Sequence, residues 1–275
     1  MPQFSPESVI RILEKHALPI SVPEKGEFEG VVNEVWFCGD LVVRINKDLD
    51  FESDVWTESV SVPTLTAHGV LTPQLVVFDS DLDIVPRLVT IYVRVPGVSL
   101  KRVWELDDSE AFFFDLRAAI RSFHDRVTQV SDPDKRLDPE WTTDYPKALA
   151  KLEDLFPESR GLFPRDLAFD STQKVFAHQD LHADNIMVHS GKLAAIIDWG
   201  DAGWASAAVD LRYIPIPYLD SALRGYGALS ETDRINLLIH QVEQFVYAKE
   251  NGRSYGVYGD STGEEIMGLV DLLKI

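Results

Sequence analysis

Three oxygen-bearing side chains stand in an order that could support metal-assisted chemistry on a hydroxyl group. Asp180 precedes Asn185 by five residues, and Asp198 follows thirteen residues later. A carboxylate and an amide oxygen are ligands that suit a hard cation such as Mg²⁺, which keeps some of its waters. We therefore predict that Asn185 and Asp198 bind Mg²⁺ and that Asp180 is free to meet a substrate hydroxyl.

Two apolar runs should position these residues. Residues 186–188 and 193–197 flank Gly191, so they are predicted to pair as a β-hairpin. Such a hairpin places Asn185, just before its first strand, alongside Asp198, just after its second strand. The preceding polar loop then carries the first aspartate.

The same residues resemble a known catalytic motif. The sequence reads H-x-D-x-x-x-x-N at residues 178–185 and D-W-G at residues 198–200. This order is similar to the catalytic loop and metal-binding turn of the protein-kinase-like phosphotransferases. It most resembles their small-molecule branch, the aminoglycoside phosphotransferase and choline kinase family, which typically has His-Gly-Asp-Leu-His-x-x-Asn-Ile. Gln179 stands where that pattern has glycine.

The resemblance implies an α+β, bilobal protein-kinase-like fold, with a small antiparallel-sheet N-lobe and a larger, mainly helical C-lobe. Residues 1–94 would form the nucleotide-binding lobe, and residues 95–275 the catalytic and substrate-binding lobe. The γ-phosphate of ATP or GTP would move to a hydroxyl of a small molecule, with Asp180 accepting or orienting the hydroxyl proton. His178 would brace the catalytic loop, and Asp210 would support it through its backbone.

The resemblance also implies where the nucleotide binds. Gly30 and Asn33 match the family's loose Gly-x-x-Asn turn over the phosphates. Tyr92 and Arg94 fall in a stretch that resembles the family's hinge, where free backbone groups at a strand end can read the adenine edge. An ordinary strand-to-helix turn is the alternative interpretation of that stretch.

A predicted strand over residues 41–45 carries two further nucleotide-binding candidates. Val42 and Arg44 share one face of it, with the valine under the adenine and the arginine at the phosphates. The family has lysine at the second position, but a guanidinium fork can also clamp phosphate oxygens. Lys47 is a substitute candidate, although its strand parity differs. Glu58 would pair with Arg44 and fix it against the phosphates.

The favoured acceptor is an aminoglycoside or similar antibiotic. A metabolite kinase for choline, homoserine or a sugar is the alternative enzyme, and a non-catalytic nucleotide-binding module is the alternative outside enzymes. The period-two series His178, Asp180, His182 and Asp184 also suggests a metallohydrolase site on a strand. The apolar strand pattern stops at Ala177, however, which argues against that reading.

Composition limits the partners. The net charge of −19 argues against nucleic acid, whose phosphates need a basic surface. An acidic surface favours a cationic substrate, and solubility alone is the alternative explanation. The single cysteine, Cys38, excludes an intrachain disulfide and fits a reducing compartment. The first residues lack the basic start and apolar core of a signal peptide, and no apolar run approaches about 18 residues. We expect a cytoplasmic protein without a membrane partner.

Overall fold

An antiparallel sheet forms the N-terminal part of the protein, whose computed structural model describes residues 4–26, 32–103, 106–170, 172–252 and 263–275. The strands are β1 (Glu24–Lys25), β2 (Asn33–Cys38), β3 (Leu41–Asn46), β4 (Leu75–Asp79) and β5 (Val89–Val93). They lie in the order β1-β2-β3-β5-β4. Strand β3 therefore lies next to β5, the last strand of this sheet in chain order.

The hairpin of β2 and β3 follows from its sequence. Gly39 adopts a φ of +62° in the turn, a conformation that glycine reaches without steric cost. Val43 and Ile45 are fully buried on one face of β3, where they pack in a cluster that includes residues of the first helix. Because side chains alternate along a strand, Arg44 is directed to the opposite face.

Two helices accompany the sheet, α1 (Pro6–Lys15) and α2 (Glu52–Ala67). The Ser5 hydroxyl caps α1 by accepting a hydrogen bond from Ser8 N. Helix α2 continues through Pro63, although proline is disfavoured in a helix interior. Buried Val62 and Leu65 bind this part of the helix to the core, so packing outweighs the loss of one backbone hydrogen bond.

Helices dominate the C-terminal part. They are α3 (Ser109–Arg126), α4 (Tyr145–Leu155), α5 (Ile216–Tyr226), α6 (Glu231–Glu250), α7 (Gly263–Met267) and α8 (Leu269–Leu273). The described part of the tail, residues 263–275, thus forms two short helices separated by Gly268. Helices α3 and α5 approach so closely that a Cβ at Gly225 would lie 2.1 Å from Phe114 O.

Five short strands lie among these helices. They are β6 (Val98–Ser99), β7 (Val175–Ala177), β8 (Ile186–His189), β9 (Lys192–Ile196) and β10 (Gly203–Ala205). Strands β8 and β9 form the predicted hairpin, with β6 at its other edge, and β7 pairs with β10. The polar motif thus occupies the loop between β7 and β8. Among the described residues, no helix has the length and apolar character needed to cross a membrane.

Candidate active site

A buried aspartate holds the loop that follows β7. Asp210 lies in a 3₁₀ turn with no exposed surface. Its two carboxylate oxygens accept hydrogen bonds from the backbone N–H groups of His178, at 2.9 Å, and Gln179, at 2.8 Å. Burial raises the pKa of Asp210, but the hydrogen bond and charge of His124 outweigh burial and lower it. The charged carboxylate therefore fixes the loop backbone, as the resemblance implies for this position.

His178 joins the loop to the second arm of the hairpin. Its Nε2 lies 2.9 Å from Ile197 O, and its Nδ1 accepts a hydrogen bond from the backbone N–H of Asp180 at 3.2 Å. The imidazole ring also lies against Trp199, with ring centroids 4.5 Å apart. Since Ile197 O receives the Nε2 hydrogen, Nδ1 is left as the acceptor. His178 is therefore a brace between Asp180 and the segment that carries Asp198.

The Asp180 carboxylate receives a donor on each oxygen. Tyr213 Oη donates to Oδ1 at 3.0 Å, and His182 Nε2 lies 3.2 Å from Oδ2. Burial raises the pKa of Asp180, but the hydrogen bond and charge of His182, together with the hydrogen bond from Tyr213, lower it to about 2. A carboxylate with so low a pKa is a weak base, so its contribution is to orient a hydroxyl rather than to remove the proton in advance.

Asn185 and Asp198 lie at the two ends of the hairpin, where the sequence predicts them. Asn185 O accepts a hydrogen bond from Ile197 N at 2.9 Å, and Asn185 Nδ2 donates to Asp180 O at 2.8 Å. Within the described part of the chain, Asn185 Oδ1 accepts no hydrogen bond. Asp198 has a φ of +65°, a strained conformation that aspartate tolerates better than most residues.

These two side chains fit a magnesium ion by their chemistry. A free amide oxygen beside a carboxylate is a donor set that Mg²⁺ shares with phosphate and water oxygens. Asp198 already attracts a cation, because Arg44 Nη2 lies 2.5 Å from its Oδ1. No group of three or more His, Cys, Asp or Glu residues in the described ranges is arranged to hold a metal. The metallohydrolase interpretation requires residues 178–184 to continue a strand, but β7 ends at Ala177.

An ion-pair network links the sheet to this site. Arg44 Nη1 donates to Glu58 Oε1 at 2.7 Å and to Oε2 at 2.9 Å, while Nη2 reaches Asp198. Tyr92 Oη and the Trp199 backbone N–H also donate to Glu58, at 3.0 and 3.1 Å. Burial disfavours the charged carboxylate of Glu58 and so raises its pKa. Burial also disfavours the charged form of Arg44, but the carboxylates of Glu58 and Asp198 outweigh burial and raise the pKa of Arg44. Strands β3 and β5, helix α2 and the D-W-G turn thus meet at one buried carboxylate.

The other residues assigned to the nucleotide vary in their placement. Gly30 lies outside the described residues. Asn33 is buried at the start of β2, and its Oδ1 has no hydrogen-bond partner within the described ranges. Val42 is half-buried on the same face of β3 as Arg44. The Arg94 backbone N–H, just after β5, donates to Asp40 O in the β2–β3 turn at 2.8 Å, so this N–H group is not free as predicted.

Two residues near Asp180 were not anticipated from the sequence. Tyr213 lies three residues after Asp210 in the chain and donates to the catalytic-loop aspartate. Asp201 follows the D-W-G turn, and burial together with the charges of Asp180 and other aspartates raises its pKa to about 7. In the sequence, the only indication of their role is that Asp201 lies close to Asp198 and Tyr213 lies close to Asp210. Spacing along the chain does not show which of these neighbours face the loop.

Comparison with known proteins identifies a matching family and similar folds. The model of a family described as the phosphotransferase enzyme family matches residues 29–234. A search against curated proteins gives no significant match. Similar folds occur in APH(2")-IIa bound to streptomycin and ATP (16% identity, 97% of this chain and 99% of that chain covered, TM-score 0.61). They also occur in macrolide 2'-phosphotransferase MphH from Brachybacterium faecium (16% identity, 97% and 98% covered, TM-score 0.61).

A further similar fold is spectinomycin phosphotransferase APH(9)-Ia in complex with ADP and spectinomycin (13% identity, 99% and 98% covered, TM-score 0.61). These likenesses confirm the predicted fold class, α+β with the protein-kinase-like arrangement. The family match covers strands β2 to β5 of the sheet, the hairpin and the loop described above. The chain therefore belongs to the phosphotransferase enzyme family, whose members phosphorylate small molecules.

Proposed function

We propose that this protein transfers the γ-phosphate of ATP or GTP to a hydroxyl of an aminoglycoside or similar antibiotic. The observation that carries the proposal is the contact of Arg44 with Asp198, which brings the nucleotide side of the site to the hairpin that bears Asn185. Asp180 lies beside Asn185, with 3.4 Å between Asp180 Oδ2 and Asn185 Nδ2. A phosphate-binding cation, a metal-binding pair and a hydroxyl-orienting carboxylate thus adjoin one another.

In the proposed mechanism the chain acts mainly by positioning. Arg44 binds phosphate oxygens and is held by Glu58, so the transferring group meets a fixed positive charge. Asp180 accepts a hydrogen bond from the acceptor hydroxyl and aligns its oxygen with the γ-phosphorus. Asn185 and Asp198 would hold Mg²⁺, which neutralises phosphate charge when bound. The new O–P bond forms as the bond to the nucleoside diphosphate breaks, and the proton of the acceptor hydroxyl passes to the Asp180 carboxylate only as that bond forms.

The nucleotide would lie between residues 1–94 and residues 95–275, in a cytoplasmic enzyme. Several observations support an amine-bearing acceptor. The charges of Asp180, Asp54 and Asp138 all raise the pKa of Asp201, so negative charge accumulates near the loop. The whole chain carries a net charge of −19, which attracts cations over longer distances. Similar folds have been solved with streptomycin and with spectinomycin.

Phosphate transfer from labelled ATP and GTP, with and without Mg²⁺, tests the proposal. The acceptor panel contains streptomycin, gentamicin, kanamycin, spectinomycin, a macrolide, choline, homoserine and simple sugars. We expect transfer to an aminated antibiotic that requires Mg²⁺ and is lost in Asp180→Asn. The matched control is Asp184→Asn, an acidic residue of the same loop whose carboxylate pairs with Lys101 instead. It should retain transfer.

Three results would contradict parts of the proposal. Transfer only to choline, homoserine or a sugar would favour the metabolite kinase. Nucleotide binding without transfer to any acceptor would favour a non-catalytic module. Full activity of Asp180→Asn would refute the role given to this carboxylate.

A further inference from the structure

A segment before α4 is fastened to the segment that follows the D-W-G turn. Asp138 N donates to Ala202 O at 3.1 Å, and Asp138 forms a parallel bridge with Gly203. The approach is so close that a Cβ at Gly203 would lie 2.1 Å from Asp138 O. Residues 138–141 are thereby held against the catalytic part of the protein.

Gln179 is the side chain that holds this segment to the catalytic loop. Its Nε2 donates to Pro139 O at 3.1 Å and to Asp201 O at 3.0 Å, and its Oε1 accepts from Trp141 N at 2.8 Å. The residue is buried and has a φ of +66°, the region in which glycine is favoured. These three side-chain hydrogen bonds offset the cost of placing glutamine there. The departure from His-Gly-Asp therefore has a structural use.

The Trp141 side chain is exposed even though its backbone is fixed. Its relative exposure is 53%. A single exposed apolar residue is ordinary, but the neighbours of this one are not. The Arg212 guanidinium lies 5.0 Å from the Trp141 ring centroid and 4.7 Å from that of Tyr213. Arg212 Nη2 also donates to Tyr213 Oη at 2.9 Å, so the three side chains form a stack.

This stack ends at the carboxylate proposed to orient the hydroxyl. Tyr213 Oη donates to Asp180 Oδ1 at 3.0 Å. Arg212 Nη2 donates to Gln179 O at 2.7 Å, which ties the middle of the stack to the catalytic loop. A molecule whose hydroxyl meets Asp180 therefore finds an aromatic surface two side chains away. The position of that surface is fixed from both its backbone and its ring.

We propose that Trp141 is an acceptor-binding residue, packing against the ring of an amino sugar or aminocyclitol whose hydroxyl meets Asp180. The inference rests on the proposed function and adds a residue that determines which acceptors bind. The face of an indole ring carries partial negative charge. It attracts ammonium groups and the polarised C–H groups of a hydroxylated ring. Gln179 is the positioning residue, because its hydrogen bonds to residues 139 and 141 fix where Trp141 lies relative to Asp180.

The experiment compares Trp141→Ala and Trp141→Phe with the wild-type protein. We expect the KM for the acceptor to rise about tenfold or more in the alanine variant, and only a few-fold in the phenylalanine variant, since phenylalanine keeps an aromatic face. The KM for the nucleotide should change by less than about twofold. The matched control is Phe114→Ala, which removes an aromatic ring of similar exposure, 42%, from α3.

Acceptor binding is also measured directly by calorimetry, without nucleotide, on the wild-type protein and Trp141→Ala. The probes are streptomycin, gentamicin, kanamycin and spectinomycin. Equal acceptor KM and equal binding in both proteins would overturn the inference while leaving the proposed function intact. Binding that depends on Trp141 without any transfer by the wild-type protein would refute the function and keep Trp141 as a ligand contact. Failure of every probe to bind the wild-type protein would also overturn the inference.

A second variant tests the anchor separately. Gln179→Gly restores the residue that the left-handed backbone favours, so folding is not put at risk by strain. It removes the two side-chain hydrogen bonds that hold residues 139 and 141, together with the one to Asp201 O. We expect the acceptor KM to rise several-fold with the nucleotide KM unchanged, and the rise should be absent when Trp141 is already alanine. Additive effects of the two substitutions would show that Gln179 does not act through Trp141.

Discussion

His240 should make the protein less stable as the pH falls below 7. It lies within α6 with no exposed surface. Thr143 donates its hydroxyl hydrogen to Glu243 Oε2 at 2.6 Å, so the hydrogen of the 3.4 Å contact between Thr143 Oγ1 and His240 Nδ1 belongs to the imidazole. Nε2 has no partner among the described residues. Burial, and then the charge of Arg212, lower the pKa of His240 to about 3.

The size of the effect follows from the two pKa values. The unfolded chain binds a proton at His240 near pH 6.5, whereas the folded protein binds it only near pH 3. Between these values the unfolded state carries more protons, so the free energy of unfolding decreases as the pH falls. The slope is about 1.4 kcal/mol per pH unit. At pH 4.5 the loss is about 3 kcal/mol, a large share of a typical total of about 5–15 kcal/mol.

The variant His240→Asn isolates this contribution, because an amide N–H can replace Nδ1–H without titrating. It should be less stable than the wild-type protein at pH 7.5, by about 1–3 kcal/mol for the smaller side chain. That difference should shrink by about 3 kcal/mol, or reverse, at pH 4.5. Urea unfolding followed by circular dichroism and fluorescence measures it. The exposed His189→Asn serves as control for loss of a histidine.

A difference between wild-type protein and His240→Asn that stays constant from pH 7.5 to 4.5 would refute the reasoning. It would show that the folded protein protonates His240 as readily as the unfolded chain does. The buried, unpartnered Nε2 would then carry no cost.

Three further substitutions test the contacts around the site. Tyr92→Phe removes a hydrogen-bond donor to buried Glu58, so it should lower the free energy of unfolding by about 1–3 kcal/mol and raise the nucleotide KM. Urea unfolding and initial rates measure these two effects, and an unchanged unfolding midpoint would contradict the first. Asp210→Asn offers one acceptor where two backbone N–H groups need one each, so kcat should fall about tenfold or more at constant nucleotide affinity. Gly225→Ala would force a Cβ against Phe114 O and should lower the free energy of unfolding by about 1–3 kcal/mol; full stability would show that α3 and α5 move apart freely.

The parts of the site that the sequence predicts are those set by local pairing. Asn185 and Asp198 meet because a short hairpin joins them, and a hairpin is visible as two apolar runs around Gly191. The resemblance added distant partners that no local pattern contains, including Glu58 of α2 for Arg44 of β3. Its order and spacing were sufficient because the fold itself is shared.

Other contacts depend on residues far apart in the chain. Gln179 binds Trp141 N across a separation of 38 residues, and Tyr213 meets Asp180 across 33. Neither partner has a composition or spacing that marks it. Pro63 shows the same limit for secondary structure, since buried contacts of α2 outweigh a local helix breaker. A prediction from local pattern fails where tertiary packing decides.

The fork of Arg44 divides its work between two nitrogen atoms. Nη1 is engaged with both oxygens of Glu58, whereas Nη2 touches only one oxygen of Asp198. A phosphate arriving under the proposed function can therefore exchange places with Asp198 at a single atom while the grip on α2 stays closed. A lysine, with one terminal nitrogen, would have to share that nitrogen among all three anions. With arginine in place of the family's lysine, Nη1 can stay bound to Glu58 while Nη2 binds the phosphate.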